Sequence, residues 1–118
     1  MGRKPRVLIV DDEPDILFSL SLLLEPLYEV TMAANGEAGL RAFEEGPFDA
    51  VLLDLTMPVM DGAAFKRELD ARGVTTPVVI VSAVDDVAER AARLGVRDYL
   101  RKPIDIPKLE AMLARVTG

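Results

Sequence analysis

"RVLIVDDEPD", residues 6–15, runs from an unbroken apolar stretch into three consecutive acids and a proline. Val7 to Val10 are aliphatic and mostly β-branched, which suits a short strand covered on both faces. Asp11, Asp12 and Glu13 then stand side by side and repel one another, and Pro14 offers a helix its first turn. A strand that feeds straight into a helix is the opening of a βα unit, so the remaining chain is read for its repeats.

The alternation of strand and helix recurs. Further strand-like runs are "EVTMAA" (29–34), "AVLLDL" (50–55), "PVVIVSA" (77–83) and "RDYL" (97–100). The second helical stretch follows Asn35-Gly36 and carries Ala38, Leu40, Ala42 and Phe43. A third follows Asp61-Gly62 and carries Phe65 and Leu69. The fourth is expected over residues 85–94, with Gly95 as its stop. The fifth starts near Asp105 and Pro107 and places Ile106, Leu109, Leu113 and Val116 at helical spacing. The first, third and fourth strands are almost wholly apolar, as strands between two helical layers must be. The pattern predicts an α/β fold, a doubly wound five-stranded parallel sheet with helices on both faces. One domain over 1–118 is expected, with a core of about 6–116.

Composition narrows the chemistry. Half of the 118 residues are apolar, enough for a real core. Twenty acids against 14 bases give a net charge of −6, which argues against direct nucleic-acid binding. Without Cys there is no disulfide framework or thiol chemistry. Without His the commonest general base and transition-metal ligand are missing. The start "MGRKPR" is basic, but the apolar run after it is too short for a signal peptide or a membrane span. Arg6 stands where a myristoylation signal needs Ser or Thr. A cytoplasmic protein without membrane partners is expected.

In doubly wound sheets, ligands bind outside the carboxyl ends of the strands. Those ends carry Asp11 and Asp12, Asp54, Ser82, and Lys102 followed by Pro103. Each has an ordinary reading by itself: Asp12 as a helix cap, Ser82 as a turn residue, Lys102 as a surface lysine. Asp54, ending an apolar strand, is harder to explain as structure alone. Together they form an oxygen-rich cluster suited to a hard divalent cation, Mg²⁺ first and Mn²⁺ second. Such a site, with an ammonium and a hydroxyl beside it, stabilises the spread negative charge of phosphoryl transfer. One carboxylate could itself be the nucleophile and form an aspartyl phosphate.

The chain resembles the receiver domains of two-component response regulators, the CheY-like family. The resemblance rests on "VDDEP" (10–14), "NGEAGL" (35–40), "DLTMPVMDG" (54–62), "SA" (82–83) and "DYLRKP" (98–103), in this order and spacing. It implies the strand order 2-1-3-4-5. By the same resemblance Asp54 is the phosphoacceptor. Asp12, Asp54 and the Thr56 carbonyl ligate Mg²⁺ directly, and Asp11 acts through water. Lys102 and Ser82 contact the phosphoryl group, with Lys102 pairing Asp54 beforehand, and Ala83 keeps the pocket open. Tyr99 matches an aromatic switch, and the bond before Pro103 is typically cis. Glu13 is read as a first-turn acid favoured by the helix dipole, able to touch the metal's waters.

The implied function is a phosphorylation-dependent switch rather than a turnover enzyme. A histidine kinase or histidine phosphotransfer protein supplies the phosphoryl group. The surface of helix 4, strand 5 and helix 5 then controls a downstream effector or a fused output domain. Met112 stands where regulators with a winged-helix output often carry a dimer-pairing Arg, which argues against that dimer. Thr56 and Val84 flank the acyl phosphate and tune its hydrolysis. The end at Gly118 fits a stand-alone receiver or one cut from a longer regulator.

Two other functions compete with this one. A phosphate-independent receiver-like module generally lacks an acid or the lysine; all are present here. A haloacid-dehalogenase-like phosphatase needs a second Asp two residues after the nucleophile, where this chain has Thr56. The first helix, "DILFSLSLLLEPL", has more apolar residues than one core stripe uses. Ile16, Leu20, Leu23, Leu24 and Leu27 are assigned to the core. Leu17, Phe18 and Leu22 remain as a candidate docking patch for the phosphodonor.

Overall fold

A computed structural model of the protein describes residues 3–118; Met1 and Gly2 of the basic N-terminal segment lie outside the described residues. The strands are β1 (Arg6–Val10), β2 (Glu29–Ala33), β3 (Ala50–Leu53), β4 (Val78–Ser82) and β5 (Asp98–Arg101). The helices are α1 (Pro14–Leu24), α2 (Gly36–Glu44), α3 (Gly62–Ala71), α4 (Val87–Arg93) and α5 (Ile106–Thr117). All strand pairs are parallel, in the order β2-β1-β3-β4-β5.

Strand alternation divides the interior into two cores. Leu8, Val10, Val51, Leu53 and Ile80 face α2, α3 and α4, where they meet Leu40, Phe65, Leu69 and Ala91. Val7, Ile9, Leu52, Val79 and Val81 face α1 and α5, where they meet Leu20, Leu24, Leu109 and Leu113. This is why β1, β3 and β4 read as unbroken apolar runs: both of their faces are covered.

Helix starts follow local chemistry. Asn35, Asp61 and Asp105 each accept a backbone N–H in the first turn of α2, α3 and α5, at 2.8, 2.9 and 3.2 Å. α1 begins at Pro14 with Glu13 as its cap residue, and Glu13 makes no side-chain capping bond. The structural reading of Asp12 as that cap is thereby overturned. α4 spans only residues 87–93, shorter than expected, and Gly95 behind it has φ +71°. The Lys102–Pro103 peptide bond is cis.

The first helix corrects two core assignments. Leu27 lies beyond the end of α1 and is 67% exposed, while Tyr28 next to it is buried. Ser21 occupies a buried position on the helix, its hydroxyl donating to Glu25 at 3.1 Å. Leu17, assigned to the outer patch, is half-buried and packs against the α1/α5 core. Phe18 and Leu22 do stand out, at 64% and 55% exposed. On α5, Leu109 and Leu113 are buried, whereas Ile106 and Val116 are half-buried.

Candidate functional site

β2 and β4 stop one residue before the ends of the runs read from the sequence and β3 two residues before, whereas β5 ends one residue later; the ladder continues through the backbone. The Asp54 N–H donates to the Val10 carbonyl at 2.9 Å and the Asp11 N–H to the Ala33 carbonyl at 3.0 Å. The Lys102 N–H donates to the Ser82 carbonyl at 2.9 Å. These bonds set the polar side chains along one edge of the sheet. β3 lies between β1 and β4, so Asp54 is central.

The segment after Asp54 is tightly fitted. The Thr56 N–H donates to Asp54 Oδ1 at 3.3 Å, and the Gly62 N–H to the Leu55 carbonyl at 3.0 Å. A Cβ on Gly62 would lie 2.2 Å from the Asp54 carbonyl oxygen and 2.7 Å from Leu55 Cα, so α3 can start here only with glycine. Val59 adopts φ +68°, an outlier for a β-branched residue, and is 77% exposed.

Asp12, Glu13, Asp54, Thr56, Ser82, Ala83, Val84 and Lys102 line one open cleft of about 420 Å³. Asp11 is 3% exposed and Asp54 5% exposed, whereas Asp12 is exposed. Carboxylate oxygens of Asp11, Asp12 and Asp54 lie within 4.8 Å of one another. Ser82 is fully buried, and its hydroxyl has no hydrogen-bond partner among the described residues. Tyr99, on β5, is 39% exposed and lies outside this cleft, beside Leu100, Lys108 and Met112.

One ammonium serves three acids. Lys102 Nζ lies 2.9 Å from Asp11 Oδ2, 2.9 Å from Glu13 Oε1 and 3.4 Å from Asp54 Oδ2. Asp54 is thus the most distant of its partners, and Glu13 is a full member of the network. Sequence reading placed Lys102 on Asp54 and Glu13 in the helix turn, because the reach from β5 to α1 is set only by the fold. Burial pushes the Asp11 carboxyl above its ordinary value; hydrogen bonds from the Glu13 N–H and Lys102 oppose this, and the nearby Asp54 charge adds to it. Burial alone would lower the Lys102 ammonium, but hydrogen bonds to Glu13 and Asp11, then the charges of Asp54 and Asp11, raise it above its ordinary value.

The donor set fits a hard divalent cation. It is all oxygen, it concentrates negative charge, and it opens into a cleft with room for water and a ligand. Asp11, Asp12 and Asp54 are the carboxylates that could hold such an ion.

Residues 7–114 match the response regulator receiver domain family, and the chain belongs to that family. It is 42% identical over 110 residues to the transcriptional regulatory protein PrrA of Mycobacterium tuberculosis, covering 91% of this chain and 47% of PrrA. The chain therefore spans about half the length of that relative. Its fold matches the Francisella response regulator 1452 receiver domain with a TM-score of 0.89 and 28% identity, over 97% of each chain. It also matches the receiver domain of the sensor histidine kinase PA1611 of Pseudomonas aeruginosa, solved with a magnesium ion in its active site cleft. That TM-score is 0.87, with 31% identity over 98% of this chain and 99% of the other. The fold and family are those of a two-component receiver, a class of phosphorylation-dependent signalling switches. Among the described residues no helix is long and apolar enough to cross a membrane.

Proposed function

We propose that Asp54 is the phosphoacceptor of this receiver. The observation that carries the reading is the shared cleft: the buried Asp54 carboxylate, the unpartnered Ser82 hydroxyl and the Lys102 ammonium all border it. A buried hydroxyl without a partner is costly, and a phosphoryl oxygen would satisfy it.

An Asp54 carboxylate oxygen attacks phosphorus in line, forming the acyl phosphate O–P bond. The P–N bond of a phosphohistidine breaks, and the imidazole leaves with the electron pair. The 118 residues contain no His, so the donor phosphohistidine lies outside them, on a histidine kinase or a histidine phosphotransfer protein. Lys102 moves onto a phosphoryl oxygen and Ser82 donates its hydroxyl to another. Asp12, Asp54 and the Thr56 carbonyl would hold Mg²⁺, or Mn²⁺, with Asp11 supporting it. The bound ion supplies neutralisation of charge on the phosphoryl oxygens. Ala83 lines the same cleft, and its backbone would meet the phosphoryl group there.

Residues 1–118 act as one receiver domain, and as a switch rather than a turnover enzyme. Thr56 stands where a phosphatase of the Asp-nucleophile type carries its acid–base Asp, which argues against a turnover phosphatase. The new charge biases a two-state element. Ser82 swings toward the phosphate and Tyr99 turns inward, altering the α4–β5–α5 surface that meets an effector or fused output domain. The reading is of a cytoplasmic protein. Phe18 and Leu22 form the docking patch for the donor, with Leu17 contributing only its outer part.

Incubation with Mg²⁺ and acetyl phosphate, followed by intact mass, tests the reading. One added phosphate is expected in the wild type and none in Asp54→Asn. Absence of any adduct would favour a phosphate-independent module, and catalytic release from monoesters a phosphatase. Changing Phe18 to Glu and Leu22 to Lys should slow transfer from the cognate donor while leaving acetyl phosphate labelling intact; equal transfer would remove the patch from the docking surface.

A further inference from the structure

Lys102 has three carboxylate partners, and they are not equivalent. The Asp11 and Asp54 side chains are 4% and 6% exposed, whereas Glu13 is 58% exposed. Asp11 and Asp54 also belong to the acid cluster suited to a cation; Glu13 does not. Its backbone is fixed, since the Glu13 N–H donates to Asp11 Oδ1 at 2.9 Å. Its side chain caps nothing in α1. So Glu13 combines a pinned Cα with a carboxylate that is free to let go into water.

We propose that Glu13 is the resting-state holder of Lys102: it gives the ammonium a partner outside the acid cluster and competes with the incoming phosphoryl group for it. The inference rests on Asp54 as phosphoacceptor. An ammonium has three N–H donors, and here three acids share them. When a cation engages Asp11 and Asp54, their claim on Lys102 weakens and Glu13 retains it. When the phosphoryl dianion forms, Lys102 exchanges one exposed carboxylate for a doubly charged group. Glu13 then returns to solvent, where a lone carboxylate is well hydrated and its release is nearly free. Glu13 is therefore a positioning residue that acts through Lys102, and it sets two opposed quantities. It favours cation binding by drawing Lys102 aside, and it slows phosphorylation by withholding Lys102 from the transition state.

The test uses the whole chain with Glu13→Gln, Glu13→Asp and Lys102→Met. Calorimetry reads Mg²⁺ affinity of the unphosphorylated protein, and time-resolved intact mass reads acetyl phosphate labelling at saturating Mg²⁺. Glu13→Gln should weaken Mg²⁺ binding and speed labelling, each by about fivefold, the upper range for releasing an exposed ion pair. Glu13→Asp should behave like Glu13→Gln, because its carboxylate is one methylene too short to reach Lys102. In the Lys102→Met background Glu13→Gln should change neither quantity. If Glu13→Asp matches the wild type, or the effects persist without Lys102, the residue acts only through its local charge and the proposal is overturned. The Glu13→Asp arm stands by itself should Lys102→Met fail to fold. Failure of the wild type to gain a phosphate on Asp54 would instead overturn the underlying reading.

Discussion

The two edges of the sheet treat polar groups in opposite ways. At the amino edge of the strands the charges of Arg6 and Asp98 are answered. The Arg6 N–H donates to Asp49 Oδ2 at 2.7 Å, and its guanidinium donates to the Pro47 carbonyl at 2.7 Å. The same guanidinium lies 3.5 Å from Glu29 and 4.6 Å from the centre of the Phe48 ring. Arg115 pairs with Asp98, and the Thr76 hydroxyl donates to the Phe48 carbonyl at 3.1 Å. At the carboxyl edge, three acids share one lysine and a buried serine hydroxyl is left over. One edge closes the fold. The other leaves a surplus of acids and a spare hydroxyl, which suits the cation and phosphoryl group of the proposed function.

The contrast can be broken most severely at Gly62. Gly62→Ala brings a methyl against the Asp54 carbonyl and Leu55 Cα, backbone atoms that cannot step aside. A loss of about 3 kcal/mol is expected in urea unfolding, together with impaired labelling of Asp54. Unchanged stability would mean that the β3–α3 loop is looser than its packing indicates.

A divalent cation should act next. Mg²⁺ at about 100 times its Kd is expected to stabilise the wild type by roughly 2.7 kcal/mol, measured by thermal unfolding. Asp54→Asn should reduce the gain, and Arg6→Ala should leave it intact.

Asp11→Asn sharpens the electrostatic side. The folded state raises the Asp11 carboxyl above its unfolded value of 3.8, so folding takes up a proton there. The stability of the wild type contributed by this group is therefore present at low pH and lost as pH rises through and above the ordinary carboxylate range. Without divalent ions, Asp11→Asn should gain stability relative to the wild type as pH rises from acid to neutral, and the gain should vanish in acid. A pH-independent difference would show that lost hydrogen bonds, not charge, dominate.

The smallest effect is expected at the other edge. Arg6→Ala should cost about 1 kcal/mol, through the stacking on Phe48 and the bond to Pro47, and leave phosphorylation unchanged.

Much of this was legible in the chain. The unbroken apolar runs at Val7–Val10 and Val78–Val81 announce strands covered on both sides, and the acids and lysine behind such runs mark the ligand edge. Asn35, Asp61 and Asp105 could be read as helix starts because a cap depends on neighbours three residues away. Helix 1 was harder. Its surplus of leucines satisfies several stripes, and only packing chose Ser21 for the inside and Leu27 for the outside.

By itself the sequence determined the βα repeat, the two-sided burial of the sheet and the roster of Asp11, Asp12, Asp54, Ser82 and Lys102, because these follow from local periodicity and strand ends. Tertiary structure alone decided that Lys102 reaches Glu13 as closely as Asp11, that Asp54 is its longest contact, and that Gly62 lies against the Asp54 backbone. Those distances join residues as far apart as 13 and 102, and no local pattern encodes a separation that only crossover geometry and sheet twist can set.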